Sequence, residues 1–147
     1  MKTVWSALLA KAERALRDAR LKLAEINRRR ENSLLQEEKV GALLLDYNQQ
    51  LKEVQQRDHN ATEVNNYRHF IVQLQELKTR SQQEQQRIDI EHQLARQVLA
   101  SAERERLKVD HLATRAVEEQ RREEQSRESR SVDAQAIAQH NFRARTF

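Results

Sequence analysis

The sequence predicts an all-α fold: a two-stranded antiparallel coiled-coil hairpin with an extended C-terminal tail, formed by residues 1–147 as a single domain. Three observations predict it. Apolar residues repeat in heptads through the first half of the chain, the chain has one glycine and no proline, and the repeat is interrupted once, near residue 60. Long helices with one reversal follow, because turns and sheets need glycine and proline far more often.

The first helix is predicted over residues 3–56, where apolar residues recur in alternating steps of four and three. Such a narrow stripe keeps facing a partner helix only if the two helices supercoil. Polar residues fill the same seam at Arg30, Ser33 and Glu37. The apolar seam residues are Trp5, Leu9, Ala12, Leu16, Ala19, Leu23, Ile26, Val40, Leu44, Tyr47, Leu51 and Val54.

The composition excludes most other classes of protein. Hydrophobic residues make up 37% of the chain and charged residues 34%, which is too little apolar surface for a compact globule of this length. The net charge of +4 could indicate a nucleic-acid partner, but acids and bases alternate at i,i+4 spacing, as in Glu13 with Arg17, which is typical of solvated helix faces. The cluster Arg28 to Arg30 lacks the long basic stretch of a basic-region zipper. Nucleic-acid binding is the disfavoured alternative.

The absence of cysteine excludes disulfides and thiol catalysis, and it fits a reducing compartment. No apolar run approaches the roughly 20 residues that span a bilayer. The N-terminal stretch resembles a signal peptide faintly, but Lys11, Glu13 and Arg14 interrupt it too early. We expect a cytoplasmic protein.

The chain is expected to reverse at residues 57–61. Asn60 followed by Glu63 is typical of a capping box, and Thr62 is a second candidate cap. A second helix is therefore predicted over residues 62–128. In an antiparallel hairpin, facing residues have numbers that add up to a constant, here about 118. Polar seam residues of the two arms then face one another, as do the apolar ones, with Leu44 opposite Leu74.

Residues 129–147 are predicted to form a flexible tail. The charged stretch of residues 118–131, which leads into this tail, is nearly free of apolar side chains, and by the same sum it has no partner in the first helix. Ile137, Phe142 and Phe147 supply a few apolar anchors in the tail. The tail either stays loose or becomes ordered when a partner binds it.

The pattern assigns no active site, no metal site, no cofactor and no small-molecule substrate. A two-helix hairpin encloses no cleft in which polar groups could converge. The histidines form no i,i+4 ligand pair, and no glycine-rich phosphate loop is present. His59, His69, His92, His111 and His140 are therefore read as solvated or seam residues.

The second helix begins with more apolar residues than a seam needs. Phe70, Leu74 and Leu77, spaced i, i+4 and i+7, form a second stripe beside the seam. Extra apolar area on a highly charged molecule indicates a partner surface. The alternative is a locally wider core between tilted helices.

Segments on both sides of the predicted turn resemble a known family. They are Leu44-Leu45-Asp46-Tyr47 and Asn66-Tyr67-Arg68-His69-Phe70-Ile71-Val72-Gln73-Leu74, and they are similar to the most recognisable stretch of the flagellar export protein FliJ family. The resemblance implies a hairpin similar to the central stalk of rotary ATPases, associated peripherally with the export apparatus at the inner membrane. It implies three partners: the hexameric flagellar export ATPase, the cytoplasmic domain of the export gate membrane protein, and export chaperones.

The resemblance also implies where two of these partners bind. The gate surface falls on Phe70, Leu74, Leu77 and Ser81, although the family has a larger side chain in the place of Ser81. The ATPase ring engages the end formed by both termini, which here is Trp5, Leu8, Leu9, Ala113 and Ala116. Basic residues are expected to face an acidic ring lumen there, at Lys11, Arg14, Arg115, Arg121 and Arg122. Two alternatives remain open: a generic dimeric coiled-coil scaffold, and the related stalk of a virulence type III secretion system.

Overall fold

The computed structural model describes residues 2–57 and 60–146 of the chain. Two helices account for nearly all of these residues: α1 is Lys2–Gln56 and α2 is Ala61–Thr146. They pack against each other as an antiparallel hairpin, and the described residues contain no strand. The predicted all-α helical hairpin is confirmed. Part of the predicted turn, Asp58 and His59, lies outside the described residues.

Asn60 caps the start of α2. Its side-chain oxygen accepts a hydrogen bond from the backbone N–H of Thr62 at 3.1 Å, and its carbonyl accepts from the backbone N–H groups of Glu63 and Val64. These bonds satisfy donors that the first turn of a helix leaves without partners. The Glu63 carboxylate accepts from the Arg57 guanidinium at 3.1 Å. Glu63 therefore links the second helix to the end of the first.

The helix α2 continues to Thr146, so the predicted end at residue 128 is too early. The sequence there has no proline or glycine to stop a helix, and residues such as Ala134, Ala136 and Ala138 favour helix strongly. Residues 117–145 are exposed throughout. The flexibility predicted for residues 129–147 stays a prediction, and Phe147 lies outside the described residues.

Two parts of the hairpin are compact units: residues 17–100 form one, and the residues up to Leu16 together with those from Ser101 onward form the other. Residues 17–100 contain two separate apolar clusters. We call the one nearer the turn the tip core; it consists of Val40, Leu44, Ile71 and Leu74, with Tyr47 and Leu51 packed against it. The other, the middle core, consists of Ile26, Ile88 and Ala95, with Leu23 packed against it. Leu44 shares a cluster with Leu74, and Leu23 shares one with Ala95, in agreement with the predicted register.

Between these two cores lies a set of polar seam residues that we call the polar layer: Ser33, Glu37, Ser81 and Gln85. Ser33 is buried and the other three are half-buried. The Gln85 amide donates a hydrogen bond to the Glu37 carboxylate. The prediction that polar residues of the two arms face one another therefore agrees with the structure, although the sum of about 118 places Glu37 opposite Ser81 and its hydrogen bond is to Gln85.

The second compact unit has a sparser core. Ala12, Leu16 and Val109 are buried there, while Trp5 and Leu9 are half-buried. Small residues of α2, Ala113 and Ala116, stand at the seam positions near Trp5. Because alanine fills little of the space beside an indole ring, an open groove remains at this place.

Candidate partner-binding surfaces

Phe70 and Leu77 lie on one edge of α2 and remain about half exposed, at 48% and 47%. Each stands one residue before a seam position of α2, which places it at the border between the seam and solvent. The exposure of both side chains agrees with a surface stripe. The alternative of a locally wider core therefore does not describe Phe70 and Leu77.

Leu74 and Ser81 have different environments from the other two residues of the predicted gate surface. Leu74 is only 6% exposed and belongs to the tip core, so it supports the stripe from below instead of facing a partner. Ser81 is half-buried in the polar layer. The structure therefore brings Phe70 and Leu77 together on an exposed edge and places Leu74 and Ser81 in the seam.

Aromatic packing across the two helices holds Phe70 in place. The Tyr47 ring of α1 lies 5.1 Å from the Phe70 ring in a stacked arrangement with an interplanar angle of 29°. Tyr47 also meets Tyr67, with ring centroids 6.2 Å apart. Such pairs contribute about 0.5–1.5 kcal/mol beyond area burial. Phe70 therefore presents an ordered apolar face.

Leu43 of α1 extends this apolar edge, and sequence reasoning missed it. It is 44% exposed and stands one residue before the seam residue Leu44, as Phe70 stands before Ile71. In an antiparallel pair these border positions of the two helices face each other. The same edge carries the ion pairs of Arg29 with Glu91 and Glu84 further along. Counting border positions on both arms would have found Leu43 in the sequence.

The second predicted surface lies in the other compact unit, where Trp5 and Leu9 of α1 and Ala113 and Ala116 of α2 line a groove of about 630 Å³. Leu8, also predicted for this surface, is 42% exposed and lies outside the lining. The structure thus brings four of the five predicted residues together. Their meeting follows from the register, which pairs Trp5 with Ala113.

The charge of this groove differs from the expected basic surface. Three carboxylates, those of Glu119, Glu123 and Glu124, line the extension of the groove along α2. Among the lining residues that the structure describes, Arg127 is the one basic side chain. The basic residues expected to face an acidic lumen do not line the groove, because the register places α2 glutamates on this face.

Comparison with known proteins identifies the family of the chain. The family model described as the flagellar FliJ protein matches residues 1–146. The chain belongs to the FliJ family. No curated protein and no solved structure shows significant similarity to it.

As a member of the FliJ family, the chain is a component related to flagellar protein export. Neither helix of the FliJ-family chain contains, within its described residues, a stretch long and apolar enough to cross a membrane. Across residues 2–57 and 60–146, no group of three or more His, Cys, Asp or Glu side chains is placed to hold a metal ion. The candidate sites among the described residues of this FliJ-family protein are the apolar edge at Phe70 and the groove beside Trp5.

Proposed function

We propose that the chain is a non-enzymatic, cytoplasmic component of the flagellar type III protein export apparatus that works at the inner membrane. In this proposal it acts as a stalk-like coiled coil that binds the export ATPase and promotes assembly of its ring, engages the cytoplasmic domain of the export gate, and escorts export chaperones. The observation that carries the proposal is the family match over residues 1–146. The exposed apolar edge at Phe70 supports its binding role.

The gate-binding surface in this proposal is the edge formed by Phe70, Leu77, Leu43 and Tyr47. Aromatic side chains that are ordered before binding lose little conformational entropy in a complex. A half-exposed phenylalanine among apolar neighbours is the type of residue that dominates binding energy in interfaces. Leu74 contributes indirectly, because it supports the edge from within the tip core.

Binding to the cytoplasmic domain of the cognate export gate protein tests this surface. We expect Phe70→Ala and Leu77→Ala each to weaken binding by at least about tenfold in isothermal titration calorimetry, while the circular dichroism spectrum stays helical. Val72→Ala is the matched control, since Val72 is 50% exposed on the same helix but points to another side. Equal losses for Val72→Ala and Phe70→Ala, or no loss for either, would contradict the assignment.

The export ATPase is proposed to bind at the groove beside Trp5. Trp5 is the chain's one tryptophan, so its fluorescence reports directly on this surface. We expect a shift of the emission maximum to shorter wavelength when the ATPase is added, and weaker ring assembly with Trp5→Ala. Val4→Ala alters an exposed neighbour and serves as the control. Unchanged Trp5 emission in a demonstrated complex would place the ATPase elsewhere.

The hairpin removes the basis for a generic parallel dimer. That alternative needs the α1 seam to find its partner in a second chain, whereas Leu44 and Ile26 are already buried against α2 of the same chain. The family match favours a flagellar over a virulence secretion system. Restoration of motility in a bacterium that lacks its own FliJ-family protein tests the flagellar assignment.

A further inference from the structure

The two apolar cores of residues 17–100 are separated by a stretch of seam without apolar side chains. On α1 the seam positions between Ile26 and Val40 are Arg30, Ser33 and Glu37, and on α2 the seam residues between Leu74 and Ile88 are Lys78, Ser81 and Gln85. A coiled coil transmits cooperativity along its length through buried apolar seam contacts. Over this stretch the two helices lack such contacts.

The contacts that replace them are weak. The hydrogen bond from Gln85 to Glu37 is only partly buried. Arg29 pairs with Glu84 at 3.8 Å and Arg30 with Asp89 at 3.4 Å, but the four side chains are 40–61% exposed, and exposed ion pairs add little to stability. A cavity of about 60 Å³ also opens beside Ser33, so packing is loose. The polar layer therefore determines which residues face each other, but it couples the two cores only weakly.

The chain's one glycine lies one helical turn from the polar layer, four residues after Glu37. Gly41 follows Val40, the residue of the tip core nearest the polar layer in α1, within a helix of 55 residues. It does not have a positive φ, and a Cβ added there would meet nothing within 4 Å. Neither the backbone conformation nor packing within the chain requires glycine here. Its physical effect is to weaken the helix locally, because glycine gains more backbone freedom on unfolding than any other residue.

We infer that the polar layer and Gly41 form a joint at which the tip core opens and bends independently of the middle core. The weak seam contacts and the weakened α1 backbone lie within one helical turn of each other, and either change alone would have less effect. Local opening of this kind follows where buried apolar contacts are few. The joint is built from contacts within the chain, so it exists whether or not the proposed gate binding does. The exposed edge at Phe70 lies on the tip side of it.

Amide hydrogen exchange on the full chain tests the joint through a substitution confined to one core. Leu44→Ala removes apolar volume from the tip core, and we expect exchange of the amides around Leu44 and Ile71 to accelerate by roughly 30-fold or more. The amides around Ile26 and Ile88 in the middle core should change less than about twofold. Equal acceleration in both cores, or complete loss of helix, would overturn the inference.

A second variant tests whether the polar layer is the reason that the two cores open separately. Ser33→Leu combined with Gln85→Leu places leucines at facing seam positions and should join the two cores. In that background, Leu44→Ala is expected to accelerate exchange in both cores by similar factors. Gln83→Leu, which adds a leucine on the exposed face of α2, should leave the separation unchanged. If the effect of Leu44→Ala still stops at the tip core after the layer has been made apolar, the polar layer is not the joint.

Discussion

The Tyr47 ring of α1 and the Phe70 ring of α2 lie 5.1 Å apart and are nearly parallel, at an interplanar angle of 29°. This pair joins the two helices at the edge of the seam, where Phe70 stacks on Tyr47 and remains 48% exposed. The buried residues Leu44 and Leu74 lie beneath in the tip core. Packing and exposure are therefore combined in one side chain, which is the condition for a rigid binding surface.

Replacement of residues along the predicted stripe should separate binding from folding. Leu74→Ala opens a cavity in the tip core and is expected to cost about 2–5 kcal/mol of unfolding free energy. Leu77→Ala, with its side chain about half exposed, should cost less than about 1.5 kcal/mol. Urea denaturation monitored by circular dichroism measures both. Equal costs would mean that Leu77 is as much a core residue as Leu74.

Loss of the cap of α2 should destabilise the hairpin measurably. Asn60→Ala removes the acceptor for the Thr62 backbone N–H, and the expected cost is about 0.5–2 kcal/mol. Asn60→Asp keeps a side-chain acceptor and should restore most of the loss. Thermal unfolding of the three proteins provides the comparison. A cap that contributes nothing would show as equal melting temperatures for wild type and Asn60→Ala.

The heptad repeat predicted the core correctly, because apolar residues spaced alternately three and four apart all lie on one side of a helix, and that side is the buried one. Ile26, Leu44 and Val54 are buried at predicted seam positions. The pairing register of the two helices could also be inferred from the sequence, because a shifted register would place polar seam residues of one helix opposite apolar seam residues of the other. Here local pattern and tertiary packing agree.

The candidate surfaces were only partly predictable from the sequence. Phe70 and Leu74 belong to one apolar stripe, and their different burial depends on how α1 covers α2, which no local pattern shows. The acidic lining at Glu119 and Glu123 depends on which face of α2 each charge occupies, and the number of charges near the termini does not show this. The charged residues beyond residue 118 predict an early end for α2, but no proline or glycine stops the helix and it continues to Thr146.

Removal of residues 129–147 should leave the hairpin stable. The described residues of this segment with an assigned exposure, 129–145, are all exposed, so removing the segment takes little buried apolar surface from the hairpin. The midpoint of thermal unfolding is expected to stay within about 2 °C of that of the full chain. Differential scanning calorimetry measures it. A much lower midpoint would show that the segment packs against the hairpin in solution.

Gly41→Ala should stabilise α1. The gain in unfolding free energy measures how much the glycine destabilises the helix at the joint. The new methyl group meets nothing within 4 Å, so no steric penalty opposes the helix propensity of alanine. The expected gain is about 0.4–1 kcal/mol in unfolding free energy, measured by urea denaturation. Ala42→Gly is the reverse control on the exposed neighbour and should lose a similar amount. Gly41 lies next to Val40 of the tip core. Hydrogen exchange should therefore slow more around Leu44 than around Ile26. Uniform slowing would indicate that α1 responds as one unit.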